Sequence, residues 1–297
     1  MTLIHLDPPV TDAVVVIADK PRGWSSHQVV GRVRRLLGTR KVGHAGTLDP
    51  MATGVLVLGV NRATRLLGHL MLTEKEYTAT MRLGATTTSD DADGDLVEQA
   101  GAAGVDALAI AAAMAPYRGE IDQVPTAVSA IKVDGKRAYQ RVRDGEEVEL
   151  KSRRVTVSRF DLGQVRPGPD GTVDCDVEVT CSSGTYIRAL ARDVGRDLGC
   201  GGHLVALRRT RVGPFTAAAA TVVDQETAAV PVLPIAAAAR MSFPVRDLAP
   251  DQAGAVRHGG RLADLTLDGV TALFDGSEFL ALYRPRGSGA APEAVFC

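Results

Sequence analysis

The sequence is short of the features that most readily announce a function. It has four cysteines in 297 residues, Cys175, Cys181, Cys200 and Cys297, and no two of them stand as C-x-x-C. Cys200 and His203 are spaced like metal ligands, but no second pair complements them. Neither a structural zinc site nor a disulfide framework is expected. No apolar run approaches the ~18 residues that span a bilayer. Runs such as residues 14–18 and 55–60 have strand length. The N-terminus carries no basic segment leading into an apolar stretch, so no secretory leader is expected. These absences make a soluble, cytoplasmic protein with no membrane association the expectation. The formal net charge is −1, which removes the simplest argument for a nucleic-acid partner.

What is present is a large core and a segregated charge pattern. Hydrophobic residues make up 45% of the chain, enough for one large domain and a smaller one. Seven basic residues and no acid lie between positions 20 and 41: Lys20, Arg22, Arg32, Arg34, Arg35, Arg40 and Lys41. A second basic group is Arg137, Arg141 and Arg143, and a third is Arg208, Arg209 and Arg211. The acids gather elsewhere, at Asp90, Asp91, Asp93, Asp95 and Glu98. Such segregation permits a basic face on a nearly neutral protein, although any one cluster read singly is an ordinary solvated face.

Residues 14–18 read as a buried strand. Ser25 or Ser26 can cap the helix that follows, whose apolar positions are Val29, Val30, Val33, Leu36 and Leu37. Residues 42–54 are punctuated by glycine and proline and predict a loop that feeds a strand over 55–60. A helix is expected near 63–71 and a strand near 77–83. The acidic stretch around Asp90 fails as a calcium loop, because Leu96 and Ala102 stand where glycine and glutamate are required. It is expected to be a solvated turn.

Residues 105–115 suit an alanine-rich helix ending at Pro116, and residues 133–136 a hairpin turn. Alternation places Val173, Cys175, Val177, Val179 and Cys181 on one strand face, so two of the cysteines are expected as small core residues. A helix over about 185–198 buries Ile187, Leu190, Ala191, Val194 and Leu198. The alanine-rich stretch 217–239 is expected to be helical and to lead to a boundary. The fold class is α+β, with a mixed or mostly antiparallel central sheet and flanking helices. The expected division is a catalytic domain over 1–240 and a small β-rich module over 242–297.

Three residues stand out, each with a bland explanation. Asp49 precedes Pro50, usually a plain turn. Tyr77 opens a strand, where an aromatic is normally core. Arg188 lies in the first turn of its helix, where the helix dipole disfavours a cation unless an anion compensates.

Their combination overturns the bland explanations. The chain reads Asp19-Lys20-Pro21-Arg22-Gly23-Trp24-Ser25-Ser26, then Gly43-His44-Ala45-Gly46-Thr47-Leu48-Asp49-Pro50-Met51-Ala52-Thr53-Gly54. Next come Lys75-Glu76-Tyr77, Ser183-Gly184-Thr185-Tyr186-Ile187-Arg188, and Gly202-His203-Leu204-Val205-Ala206-Leu207-Arg208-Arg209. In this order the segments resemble the signatures of the TruB family of pseudouridine synthases over roughly residues 12–215. The resemblance implies the pseudouridine synthase fold and isomerisation of uridine 55 in the T-loop of tRNA, by base flipping and without a cofactor or metal.

It also implies roles. Asp49 falls on the catalytic aspartate, Tyr77 on the tyrosine that stacks on the target uracil, and Arg188 on the arginine that pairs with the catalytic carboxylate. Tyr186 and Leu207 match residues lining the base pocket, and Lys20 and Pro21 a segment that shapes it. His44 matches the histidine that takes the place of the flipped base. Arg32, Arg35, Arg40, Lys41, Arg208 and Arg209 are the candidate phosphate contacts.

The sequence departs from the family at residues 124–130, where Val-Pro-Thr-Ala-Val-Ser-Ala replaces a more usual Pro-Pro-x-Tyr-Ser-Ala. Residues 242–297 stand where relatives carry a PUA domain that binds the tRNA acceptor end. A stand-alone monomer that needs no guide RNA or obligate protein partner is expected, since the insertions are compact and no long charged tail is present. The competing expectations are an RNA chaperone without essential chemistry and the related RNA-guided synthase.

Overall fold

The computed structural model describes residues 1–126, 132–133, 136–137 and 150–297. They form two compact bodies. One comprises Met1–Leu48, Gly54–Met71 and Gly213–Cys297, the other Asp49–Thr53 and Leu72–Val212.

In the first body the strand Val14–Lys20 pairs antiparallel with Thr53–Val60 and parallel with Thr221–Val222, so this sheet is mixed. The strand carries four consecutive fully buried residues, Val15 to Ala18. Each large aliphatic among them contributes about 1.5–3 kcal/mol through the apolar surface it removes from water. The helix Ser26–Leu36 packs here through Val29, Val30 and Val33. Ser25 and Gln28 start it with a reciprocal capping box. It ends at Gly38, whose φ of +63° puts it in the left-handed region; a Cβ there would come within 3.1 Å of the Pro9 Cα.

The expected loop over 42–54 begins as a strand, Val42–His44, which pairs with Thr53–Val60 in the register His44 to Leu58. The expected helix over 217–239 does not form. Its alanines instead supply a 3-10 turn, Ala217–Ala219, and two short strands follow at Thr221–Val222 and Leu233–Pro234. Helical propensity yields here to edge pairing with Val14–Lys20 and to the prolines at 231 and 234. Only Ile235–Ser242 is helical.

From Val245 the chain forms a separate four-stranded sheet, Val245–Asp247, Thr271–Asp275, Glu278–Arg286 and Gly289–Val295, in that order. The short helix Pro250–Arg257 covers it. The rings of Phe274, Phe279 and Phe296 follow one another at centroid distances of 5.4 and 4.8 Å, and the buried Tyr283 hydroxyl donates to the Gly260 carbonyl at 2.6 Å.

The second body is an antiparallel sheet in the order Gly202–Val212, Lys75–Leu83, Val173–Cys181, Arg153–Pro167 and Gly119–Gln123. Cys175 and Cys181 are buried on it, and burial pushes their thiols up to about 12 and about 11. The alanine-rich helix is Ala107–Met114, capped by Asp106. The helix Ile187–Asp197 packs on strand Gly202–Val212 so closely that a Cβ on Gly195 would sit 2.3 Å from the Gly201 carbonyl carbon. That approach fixes the depth of the helix and hence of Arg188 at its second position. The expected hairpin near 133–136 has its two strands, Lys132–Val133 and Lys136–Arg137, while residues 134–135 lie outside the described residues, as do Arg141 and Arg143.

Candidate active site

Asp49 opens a tight turn in which the Ala52 N–H donates to its carbonyl at 3.1 Å. The bland prediction for an Asp-Pro pair is therefore correct as geometry, yet the side chain does more than cap a turn. Asp49 Oδ2 lies 3.1 Å from Arg188 Nη2, with 37% of the aspartate side chain exposed against 5% of the arginine. The approach to Asp49 is held rigid. The buried Ser26 hydroxyl accepts from the Leu48 N–H at 2.9 Å and donates to the Leu48 carbonyl at 3.1 Å. Gly46 and Gly54, on either side of the turn, have φ of +90° and +102°, which a side chain would resist.

Arg188 makes two further bonds. Its Nη1 donates to the Ser89 carbonyl at 2.7 Å and lies 3.1 Å from Asp91 Oδ2. Asp91 is as buried as the arginine, at 5% side-chain exposure. One guanidinium thus bridges two carboxylates, and together they supply the compensating anions that an arginine at a helix N-terminus requires.

This corrects the expectation of a wholly solvated acidic turn. Asp93, Asp95 and Glu98 are exposed as expected, but Asp91 faces inward. The Ser89 hydroxyl donates to Asp91 Oδ1 at 2.5 Å and the Asp93 N–H donates to it at 3.1 Å. Asp90 adopts a left-handed φ of 58° and faces Arg192 at 3.3 Å. Burial pushes the Asp90 carboxyl up, with the Arg192 and Arg188 guanidiniums opposing. The sequence carried one usable signal for Asp91: a cation at a helix N-terminus demands anions, and an aspartate-rich segment was at hand.

Tyr77 stands on Lys75–Leu83 with 8% exposure, opposite Val179 on one neighbouring strand and Arg209 on the other. Residues directly opposite in an antiparallel pair share a face, so Tyr77, Arg209 and, two positions along, Leu207 line one surface. Burial raises the Tyr77 phenol above its usual range, with the Arg209 guanidinium partly opposing, so the ring is held neutral. Lys75 lies at the head of the same strand. Its burial and the charge of Arg209 lower its ammonium from 10.5 to about 8.

Tyr186 is the N-cap of the Arg188 helix. Its N–H donates to Gln123 Oε1 at 2.8 Å and its carbonyl accepts from Gln123 Nε2 at 3.1 Å. Gln123 and Arg192, which donates to the Val124 carbonyl at 2.8 Å, fix the start of the segment that departs from the family. Residues 127–131 of that segment lie outside the described residues. Sequence reasoning found neither Gln123 nor Arg192, and had Ser26 only as a candidate helix cap, because each acts through a distant backbone.

The other singled-out residues divide by burial. Lys20 is fully buried, and its ammonium donates to the carbonyls of Pro21 at 3.0 Å and Trp24 at 2.6 Å, closing the turn that follows the first strand. Pro21 is half-buried in that turn. His44 is half-buried at the end of its strand and meets His27 edge-on at 5.8 Å. Arg35, Arg40 and Lys41 are exposed. Arg32 instead donates to the Gln225 and Thr227 carbonyls at 2.9 and 2.5 Å. Arg208 is half-buried, 3.5 Å from the Thr53 hydroxyl. Arg209 is 1% exposed and serves the Tyr77 surface, not the outer surface where a phosphate would lie.

Residues 34–187 match the N-terminal domain of TruB family pseudouridylate synthases. Residues 188–231 match a tRNA pseudouridylate synthase B C-terminal domain, and 243–297 a tRNA pseudouridine synthase II C-terminal domain. The tRNA pseudouridine synthase B of Cutibacterium acnes is 60% identical over 95% of this chain and 97% of its own length. That of Thermobifida fusca is 56% identical over 95% and 98%. A chain of a Cbf5-Nop10-Gar1 crystal structure superposes with a TM-score of 0.71 at 27% identity, over 96% of this chain and 85% of that one. A chain of an H/ACA RNP bound to a substrate RNA containing 2′-deoxyuridine gives 0.70 at 26%, with the same coverage. The chain belongs to the TruB family of pseudouridylate synthases.

Proposed function

We propose that this protein isomerises uridine to pseudouridine at position 55 in the T-loop of tRNA, with Asp49 as the nucleophile. The observation that carries this reading is the Asp49–Arg188 pair at 3.1 Å, in a chain of this family. The reaction breaks the uridine N1–C1′ bond and forms a C5–C1′ bond, while the C5 proton is lost and N1 gains one. Composition is unchanged, so no redox partner or phosphoryl donor is consumed. The step needs an ionised carboxylate with a lone pair aimed at the sugar or the ring. A guanidinium at hydrogen-bond distance favours the ionised form and fixes its orientation. The partial exposure of Asp49 leaves the carboxylate reachable, whereas the burial of Arg188 keeps its partner from wandering.

The target base lies inside a folded loop and has to be flipped out, at a cost of a few kcal/mol. Stacking of the uracil on Tyr77, and of His44 in the place it vacates, would offset that cost at about 1–3 kcal/mol each. A neutral Tyr77 suits stacking better than proton abstraction. Leu207 and Tyr186 would complete the walls around the base, with Lys20 and Pro21 shaping the approach. Arg35, Arg40, Lys41 and Arg208 would meet phosphates. The division at about residue 240 separates catalysis from a PUA-like RNA-binding module directed at the acceptor end. A cytoplasmic monomer acting without metal, cofactor, guide RNA or protein partner completes the reading.

The test uses unmodified tRNA carrying tritium at uridine C5. The purified protein should release tritium in a single turnover with no RNA or protein added. Release only when guide RNA or partner proteins are supplied would refute the stand-alone reading, and accelerated tRNA folding without release would leave only a chaperone.

A further inference from the structure

Gln123 is the last residue of the strand Gly119–Gln123, at the edge of its sheet, and is 3% exposed. Its amide meets both backbone groups of one residue 63 positions away. It accepts from the Tyr186 N–H at 2.8 Å and donates to the Tyr186 carbonyl at 3.1 Å. Tyr186 is the N-cap of the helix Ile187–Asp197; its own side chain makes no capping bond, and the first turn holds no acid. The N–H groups that open a helix have no intrahelical partners. In a capping box the N-cap N–H is met by a side chain of the helix itself. Here a side chain from another strand meets it.

The same stretch grips the helix one turn further on. Arg192 lies four residues from Arg188, on the same helix face, and donates to the Val124 carbonyl at 2.8 Å. The far end of the helix is seated by the close approach of Gly195 to Gly201. Gln123 sets the near end, two residues before Arg188. Asp91 fixes the guanidinium of Arg188, whereas Gln123 fixes the backbone from which that side chain springs. A shift at Tyr186 would displace the partner of Asp49 and a wall of the base pocket together. Misplacement by about 1 Å can cost ~10²-fold in rate.

We propose that Gln123 is a positioning residue of the isomerisation, holding the start of the Arg188 helix through both backbone groups of Tyr186, an inference that rests on the RNA-isomerase reading above. It touches no reacting atom, and its effect is on the rate of the chemical step.

The experiment measures single-turnover tritium release from saturating unmodified tRNA, the Kd for the same tRNA, and amide hydrogen exchange, all on the full chain. Gln123→Leu should slow release by about 30-fold while Kd stays within about threefold. Gln123→Glu keeps the shape and the bond from the Tyr186 N–H, loses the bond to its carbonyl, and should slow release by about tenfold. It also covers the case in which the leucine variant does not fold. A residue that only supported folding would lower the active concentration and leave the rate at saturation unchanged. In an Arg188→Lys background the further loss from Gln123→Leu should shrink below about fivefold, because both changes act on one group. Exchange should quicken about tenfold at residues 184–189 and stay as it was at 190–197. Undiminished release by the folded variants, a full 30-fold loss added to that of Arg188→Lys, or exchange that quickens along the whole helix would each overturn the proposal. No release by the unaltered protein would remove the reaction itself and the role with it, an outcome distinct from release that Gln123 does not influence.

Discussion

Two loops of the second body each deliver a carboxylate to Arg188, at the same 3.1 Å, and they differ in nearly everything else. The Asp49 turn leaves 37% of its side chain exposed and is shaped by neighbouring glycines; the Asp91 loop leaves 5% and is closed by Ser89 and the Asp93 N–H. A buried ion pair holds its geometry because each charge would be costly to leave without the other. A half-exposed carboxylate can exchange its partner for a substrate. One arginine is fixed by one aspartate while it orients another, and equal distances do not mean equal duties.

The largest expected effect separates the two duties. Asp49→Asn should cut the single-turnover rate by at least ~10³-fold, the low end for losing a nucleophile. Binding of tRNA should stay within about tenfold, roughly 1.4 kcal/mol. Near-normal tritium release would end the assignment. Asp91→Ala should instead act on stability, lowering the unfolding free energy by about 3 kcal/mol because a buried charge loses its buried partner. Asp49→Asn should cost less than about 1 kcal/mol by the same denaturant titration. If the two substitutions destabilise equally, the contrast is wrong.

Arg188→Lys tests the bridge. A lysine keeps the charge but cannot present a planar fork to two carboxylates. A loss of ~10²-fold in rate is expected, typical of a reacting group displaced by about 1 Å. Retention of most of the activity would show that the fork is unimportant.

His44 belongs to the same glycine-rich segment as Asp49 and should respond differently to the substrate. His44→Ala should weaken the complex with a folded T-arm by about 1–3 kcal/mol, one lost stack, and have a smaller effect on an unstructured RNA that already exposes the uridine. Asp49→Asn should fail on both. Equal losses for His44→Ala on the two RNAs would exclude gap filling.

The smallest effect comes from Lys75, a buried cation neighboured by Arg209. Its folded pKa, about 8, lies below the ordinary 10.5. The folded chain therefore binds fewer protons than the unfolded chain between those values, and this group's contribution to stability rises with pH from about 8 to about 10.5. Lys75→Met should flatten that rise in a pH series of thermal unfolding. An unchanged slope would mean that the ammonium is better solvated than its burial implies.

What the sequence determined by itself was whatever depends on neighbours in the chain. The capped helix after Ser25, the alternating strand carrying Cys175 and Cys181, and the glycine-flanked Asp-Pro turn follow from local periodicity and backbone preference. The motif order brought the family, and with it Asp49, Tyr77 and Arg188, into view. The alanine-rich stretch near 217 misled because helical propensity is worth only tenths of a kcal/mol per residue, less than edge pairing with the first strand. Which acid of the Asp90 cluster turns inward, that Arg209 is buried beside Tyr77, and that Ser26 grips Leu48 from 22 residues away were set by tertiary packing alone. Each depends on a charge or polar atom finding its partner across a long stretch of chain. Composition and spacing supply the candidates, but burial, which makes an unpartnered charge costly, is what selects among them.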